Sequence, residues 1–179
     1  MKTDWQKYIR PVEKTDAAGL LEIYSYYVKN TVITFEYEVP TLSEFENRIE
    51  KTTKKYPYLC AEKDGKIIGY AYAGVFKDRA AYQWDVELSI YIEKNFHGLG
   101  LGRALYEALE SELKKQGILN LYACIAIPND TDDEYLNHNS QHFHEHLGFK
   151  TVGTFLNSGK KFDRWYGMIW MEKMIGVHK

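Results

Sequence analysis

Ile90-Tyr91-Ile92-Glu93-Lys94-Asn95-Phe96-His97-Gly98-Leu99-Gly100-Leu101-Gly102-Arg103 is the stretch on which the fold turns. It reads as the end of a β-strand near Ile92, a loop with glycines at alternate positions 98, 100 and 102, and a helix beginning near Leu101. Such a loop turns successive backbone N–H groups toward one point beside the positive end of a helix dipole, and so makes an anion site. A tight turn that merely caps a helix would use the same glycines. The two common nucleotide loops fit poorly. A Walker loop needs G-x-x-x-x-G-K-[ST], and a Rossmann loop needs G-x-G-x-x-G after the first strand of a βαβ unit. Here Arg103 stands where the last Rossmann glycine would be, and the loop comes late in the chain.

Working outward, residues 101–116 have helical spacing, with Leu101, Leu105, Ala108, Leu109 and Leu113 on one face and Gly117 as a stop. Before the loop, residues 57–63 and 67–76 predict a hairpin, because Asp64-Gly65 supplies the positive φ angles of a two-residue turn. A further strand covers residues 84–92. Nearer the N-terminus, residues 8–12 form a short strand stopped by Pro11. Thr15 and Asp16 are candidate N-caps for a helix to about Lys29, and Thr41-Leu42-Ser43-Glu44 is a capping box for another to about Lys55. After the loop helix come a strand at 119–127, a helix at 137–147, and strands at 150–156 and 164–173. This order predicts an α+β domain spanning 1–179, with a mixed, mostly antiparallel sheet and helices on both faces.

Composition narrows the functional classes. A chain of 179 residues and 21.0 kDa buries roughly 70% of its unfolded surface, enough for one core without staples. A net charge of -2 and a pI near 6.3 give no broad attraction for nucleic acid. Cys60 and Cys124 form no C-x-x-C pattern, and both are expected to be reduced core thiols. The first seven residues are polar and no apolar run approaches a membrane span, so no membrane is expected and the location is read as cytoplasmic.

The stretch from Ile90 to Arg103 resembles the coenzyme A signature of the GNAT acetyltransferase superfamily, whose loop reads Q/R-x-x-G-x-G/A. More of the chain resembles its phosphinothricin acetyltransferase branch: Thr31-Val32-Ile33-Thr34-Phe35-Glu36, Gly69-Tyr70-Ala71-Tyr72-Ala73, Arg79-Ala80-Ala81-Tyr82, Val86-Glu87-Leu88-Ser89, Leu147-Gly148-Phe149 and Lys161-Phe162-Asp163-Arg164-Trp165. The resemblance implies a GNAT fold and acetyl-CoA as cosubstrate. It implies that His97, Gly98, Leu99, Gly100, Leu101, Gly102 and Arg103 hold the pyrophosphate. Ile90, Tyr91 and Ile92 would then pair with the pantetheine arm as a strand does. It also suggests a homodimer.

Acetyl transfer needs a neutral amine, a polarised carbonyl and a proton for the departing thiolate. At pH 7, deprotonating an α-amine of pKa ~7.8 costs about 1 kcal/mol, against about 4.6 for a Lys-like amine of pKa ~10.4. A modest base therefore suffices. Glu87 is the candidate, because Val86-Glu87-Leu88 sets a carboxylate in an apolar strand, where burial raises its pKa. A strand Glu on a solvated face is the alternative from the residues alone; the resemblance favours the base. The thioester carbonyl is expected to meet a strand N–H near Leu88 to Ile90.

Asn137-His138-Asn139-Ser140 and His142-Phe143-His144-Glu145-His146-Leu147-Gly148-Phe149 resemble the helix that follows in this family. There Asn137 and Ser140 match cofactor-contacting positions. His144 matches a position near the sulfur that holds Tyr in many members, which makes it the expected acid. A packing or surface histidine is the bland reading. His138, His142 and His146 lie at helical spacing, with Asp130, Asp132, Asp133 and Glu134 upstream, but H-E-x-x-H is absent and no metal is expected. Residues 128–136 are longer than the family's turn and are expected to be a solvated loop, with an acidic lip over the cleft as the alternative.

An amino-acid-like acceptor needs cations for its acidic groups and an aromatic wall, which makes Phe35, Arg79, Tyr82, Lys161 and Arg164 the substrate candidates. Asp163 and Gly167 depart from the family's G-R-W-x-D. The expected activity is direct acetyl transfer to the primary amine of a small acceptor, of the phosphinothricin or methionine sulfone or sulfoximine type. No Cys sits in a motif for a covalent intermediate. A peptide N-terminal acetyltransferase, a non-catalytic acyl-CoA-binding module and a histidine-rich metalloenzyme are the rivals.

Overall fold

Alternation along one strand decides how the layers stack. In β2 (Tyr58–Lys63), Leu59 and Ala61 join one core cluster and Tyr58 and Cys60 join another. Successive side chains leave a strand on opposite sides, so the sheet is covered on both. The computed structural model describes residues 3–179; Met1 and Lys2 of the polar N-terminal stretch lie outside them.

Seven strands form one sheet in the order β1-β2-β3-β4-β5-β7-β6. β1 (Ile9–Pro11), β2, β3 (Lys66–Val75) and β4 (Asp85–Ile92) pair antiparallel in succession. The β2–β3 turn has Asp64 at φ 53° and Gly65 at φ 75°, as the hairpin reading requires. β5 (Asn120–Ile127) then pairs parallel with β4, and β7 (Arg164–Met174) lies between β5 and β6 (Lys150–Lys161). The last hairpin runs five residues beyond the strand expected at 150–156, carried by a bulge between Phe155 and Gly159.

α1 (Ala17–Asn30) and α2 (Leu42–Thr53) cover one face, with Leu20, Tyr24, Tyr27, Phe45 and Ile49 in its core. α3 (Leu101–Lys115) covers the other through Leu101, Leu105, Leu109 and Leu113. α4 (Asn139–His146) follows β5 and packs its Phe143 against that second core. The capping box of α2 forms, with Thr41 accepting from the Glu44 N–H and Glu44 accepting from Thr41. Asp16 does not cap α1. Its carboxylate takes the Glu13 N–H and a two-point bond from Arg10, capping the turn of 3-10 helix ahead of α1. Cys60 is buried as expected, whereas Cys124 is exposed on β5, a correction to the core reading.

Candidate active site

The site exists because β4 and β5 stop pairing. Their parallel register covers only Asp85↔Asn120, Val86↔Leu121 and Glu87↔Tyr122. Beyond Glu87 the strands part, and Leu88 to Tyr91 face Ala123 to Ala126 across a cleft also lined by Ile33, Tyr106, Ser140 and His144. Alternate residues of an antiparallel strand send both backbone groups to the same side. Ile92 turns its N–H and C=O away from β3, toward Tyr27. Ile90 and Leu88 therefore direct theirs into the cleft, which supplies a strand edge for an extended ligand.

At one end of the cleft lies the glycine loop. Gly98 (φ 72°) and Gly100 (φ 87°) occupy the left-handed region, which L side chains avoid. A Cβ on Gly98 would meet nothing within 4 Å, whereas one on Gly102 would come 2.9 Å from Phe143 Cε2. Trp5, buried and far away in sequence, donates its indole N–H to the Leu99 carbonyl at 2.7 Å. Among the described residues no protein acceptor meets the N–H groups of 98–103. Six successive free donors at a helix N-terminus fit a pyrophosphate.

His144, on α4, is 3% exposed. Its Nδ1 lies 2.7 Å from the Ser140 carbonyl and its Nε2 lies 3.0 Å from the Tyr106 hydroxyl. Burial pushes its pKa down to about 4, against the opposing pull of the Ser140 carbonyl. The ring is therefore neutral near pH 7. Because a carbonyl only accepts, its one proton sits on Nδ1, and Nε2 accepts from Tyr106. The hydrogen between the two rings therefore belongs to Tyr106, on α3.

Glu87 projects from β4 to the opposite face of the sheet from Leu88, between its register partners Gly74 and Tyr122. It is half-buried, and burial raises its pKa while Lys77 partly offsets the rise. Its carboxylate has no hydrogen-bond partner among the described residues, which leaves it able to accept a proton. Phe76 stacks on Tyr122 with centroids 4.1 Å apart and meets Trp170 and Tyr82 edge-on. A wider groove between β1, β2 and α3 carries Arg10, Glu107 and Glu112, each facing an opposite charge, and has no comparable acid–base pair.

A family model described as an acetyltransferase (GNAT) domain matches residues 9–170. The chain belongs to the GNAT acetyltransferase family. The phosphinothricin N-acetyltransferase of Streptomyces viridochromogenes is 35% identical over 158 residues, 88% of this chain and 82% of that protein. The L-methionine sulfoximine/L-methionine sulfone acetyltransferase of Salmonella typhimurium is 29% identical, over 95% of each. The solved structure of a GNAT phosphinothricin acetyltransferase from Sinorhizobium meliloti, in complex with acetyl-CoA, superimposes with a TM-score of 0.85 at 32% identity, covering 94% of this chain and 88% of that one. The α+β architecture is thus the GNAT fold.

Within this GNAT domain the sequence-predicted residues fall into separate groups. Asn137 is exposed and its side-chain oxygen accepts the Asn139 N–H, while Ser140 lines the cleft. Arg103 is exposed and donates to the His146 carbonyl. Lys161 is buried, donating to the Thr34 carbonyl at 2.8 Å, and Phe35 packs so closely on Gly159 that a Cβ there would come within 2.3 Å. Arg79 and Tyr82 are exposed on the β3–β4 loop beside Phe76. Arg164 is occupied by Asp133 and Glu134. The histidines disperse, with His138 on Asp132 and His146 on the His142 carbonyl.

Residues 128–136 are a solvated loop at 129–132 and Glu134, anchored to the protein through Asp133, Tyr135 and Leu136. Asp133 accepts from Tyr166 and from the Tyr135 and Leu136 N–H groups, Tyr135 stacks on Phe162 at 4.3 Å, and Leu136 joins Val32, Ala126 and Tyr166 in a small core. The segment latches the β6–β7 hairpin to the loop after α1. Asp133→Ala leaves these donors unmatched and is expected to cost about 2 kcal/mol, read as a lower urea midpoint. An unchanged midpoint would show the latch to be energetically idle. Sequence reasoning missed Tyr106, Trp5, Phe76, Tyr122 and Trp170. The signal for them in the sequence was the aromatic share of 15%, with 15 Tyr, which suits a half-polar cleft.

Proposed function

We propose that this chain, as one catalytic domain over residues 1–179, transfers the acetyl group of acetyl-CoA directly to the primary amine of a small amino-acid-like acceptor. Phosphinothricin and methionine sulfone or sulfoximine are the compounds to test first, on the strength of the relatives above. The observation that carries the reading is the parting of β4 and β5 immediately after Glu87. It opens the strand edge from Leu88 to Tyr91, with the Glu87 carboxylate at the point where the strands part and the free amides of 98–103 following the end of β4.

Bound acetyl-CoA supplies the activated acetyl thioester. The amides of 98–103 hold its pyrophosphate, and the free groups of Leu88 and Ile90 receive its pantetheine arm and orient the carbonyl. Asn137 and Ser140 flank that arm at the start of α4. Glu87 takes the proton from the acceptor ammonium, directly or through a water. Tyr106 and neutral His144 form the pair at the sulfur end, and the thiolate takes its proton from the Tyr106 hydroxyl once that hydroxyl turns from His144 Nε2 toward the sulfur. Phe35 with Lys161, and separately Arg79 with Tyr82, are the residues to test for acceptor recognition. Arg164 contributes by fixing the latch, since its charge is met by Asp133 and Glu134. The exposed Val152, Phe155, Leu156 and Trp165 of the last hairpin support a homodimer. A cytoplasmic location accords with the acetyl-CoA requirement and with the absence, among the described residues, of a helix long and apolar enough to cross a membrane.

The direct test is thiol release from acetyl-CoA against phosphinothricin, methionine sulfone, methionine sulfoximine, common amino acids and an N-terminal peptide. Release with a small amino acid alone supports the reading, and release only with the peptide overturns the acceptor assignment. Gly98→Val forces a β-branched residue into the left-handed region at a cost of about 1–2 kcal/mol. Acetyl-CoA KM should rise about tenfold, measured by initial rates at saturating acceptor. An unaltered KM would remove Gly98 from the pyrophosphate loop.

A further inference from the structure

Tyr27 is buried on α1, with its ring edge-on to Tyr91 and its hydroxyl reaching the last residue of β4. That oxygen lies 2.5 Å from the Ile92 carbonyl, 3.3 Å from the Ile92 N and 2.9 Å from His97 Nε2. His97 Nε2 is itself 3.0 Å from the Ile92 carbonyl. These four contacts determine every hydrogen. A carbonyl oxygen only accepts, so Nε2 carries a proton. Tyr27 then cannot donate to Nε2, and its single hydrogen goes to the Ile92 carbonyl. Its oxygen accepts the Ile92 N–H and shares the His97 Nε2–H with the Ile92 carbonyl.

Two consequences follow for the cleft. Ile92, expected to pair with the pantetheine arm, has both backbone groups engaged by the protein. His97, expected to touch the cofactor, turns Nε2 inward and is pinned to the end of β4. Gly98 follows at once with its left-handed φ, so the direction in which the free amides of 98–103 set out depends on where His97 is held.

We propose that Tyr27 is a positioning residue for the pyrophosphate loop, acting through Ile92 and His97 from the opposite face of the sheet. The proposal rests on the reading of that loop as the acetyl-CoA site. Tyr27→Phe keeps the ring and removes the hydroxyl. The expected result is a rise of about fivefold in acetyl-CoA KM, with kcat and acceptor KM within about twofold of the parent. His97→Ala, at an exposed position, should match it. His97→Gln, whose amide N–H can replace Nε2–H, should restore affinity. The double variant Tyr27→Phe/His97→Ala should lose no more than the worse single one, because both remove the same brace.

The decisive arm replaces acetyl-CoA by S-acetylpantetheine, which lacks the pyrophosphate. The wild type should use it poorly, and Tyr27→Phe should use it as well as the wild type does. An equal loss with both donors, or an unchanged acetyl-CoA KM in Tyr27→Phe and His97→Ala, overturns the positioning role. If the wild type fails to distinguish the two donors, it is the loop assignment itself that is wrong.

Discussion

Glu87→Gln is expected to lower kcat by about 10²–10⁴-fold, with acetyl-CoA affinity unchanged in a calorimetric titration. The substitution keeps the volume and the hydrogen-bonding capacity but removes the basic oxygen. Burial holds the carboxyl above the ordinary carboxylate range, with Lys77 limiting the rise. Only the ionised form accepts a proton, so wild-type turnover should climb as pH rises through that raised value. The variant should lack this limb and recover relative activity as pH approaches the amine's own pKa, where the acceptor deprotonates unaided. Unchanged turnover on an accepted substrate would remove Glu87 as the base and leave the cleft with positioning alone.

The second large effect is on stability. His144 titrates near 6.5 in an unfolded chain and at about 4 in the fold, because burial opposes its charge. Between these values the unfolded chain binds a proton that the native protein excludes. Stability therefore falls as pH drops from about 6.5 to about 4, by on the order of 3 kcal/mol in total. Urea unfolding across this window should show the slope, and His144→Gln, neutral throughout, should flatten it. A slope equal in both proteins would assign the acid sensitivity to other groups. In the same window the rate should show no separate ionisation of His144. His144→Ala should chiefly slow transfer, and a large loss of acetyl-CoA affinity instead would recast it as a binding residue.

These two residues show different degrees of legibility. Glu87 was a candidate chiefly through the family resemblance, since Val86-Glu87-Leu88 alone equally suits a strand carboxylate on a solvated face; its half-buried place between Gly74 and Tyr122 is a tertiary fact. His144 was readable as a residue of the cleft, but its surroundings were not. Its neutrality comes from burial, which outweighs the opposing pull of the Ser140 carbonyl, and the partner that holds its Nε2 lies 38 residues away. Arg164 is a similar case. A C-terminal arginine suggests an anion site, but the insert that occupies it is folded back by contacts with Tyr166 and Phe162, so the arginine meets its carboxylates inside the protein.

What the chain alone determined is what depends on neighbours a few residues apart: the capping box at Thr41, the Asp64-Gly65 turn, the strand and helix periodicities, and the glycine loop at the start of α3. Such features are set by backbone sterics and local hydrogen bonds, which any reader of the sequence can apply. Tertiary structure decided the rest. The strand partners part after Glu87, Trp5 fixes the Leu99 carbonyl across 94 positions, and Tyr27 engages Ile92 across 65. Each is a directional contact between distant segments whose meeting depends on how the sheet twists and its helices pack, and no pattern within either segment encodes it.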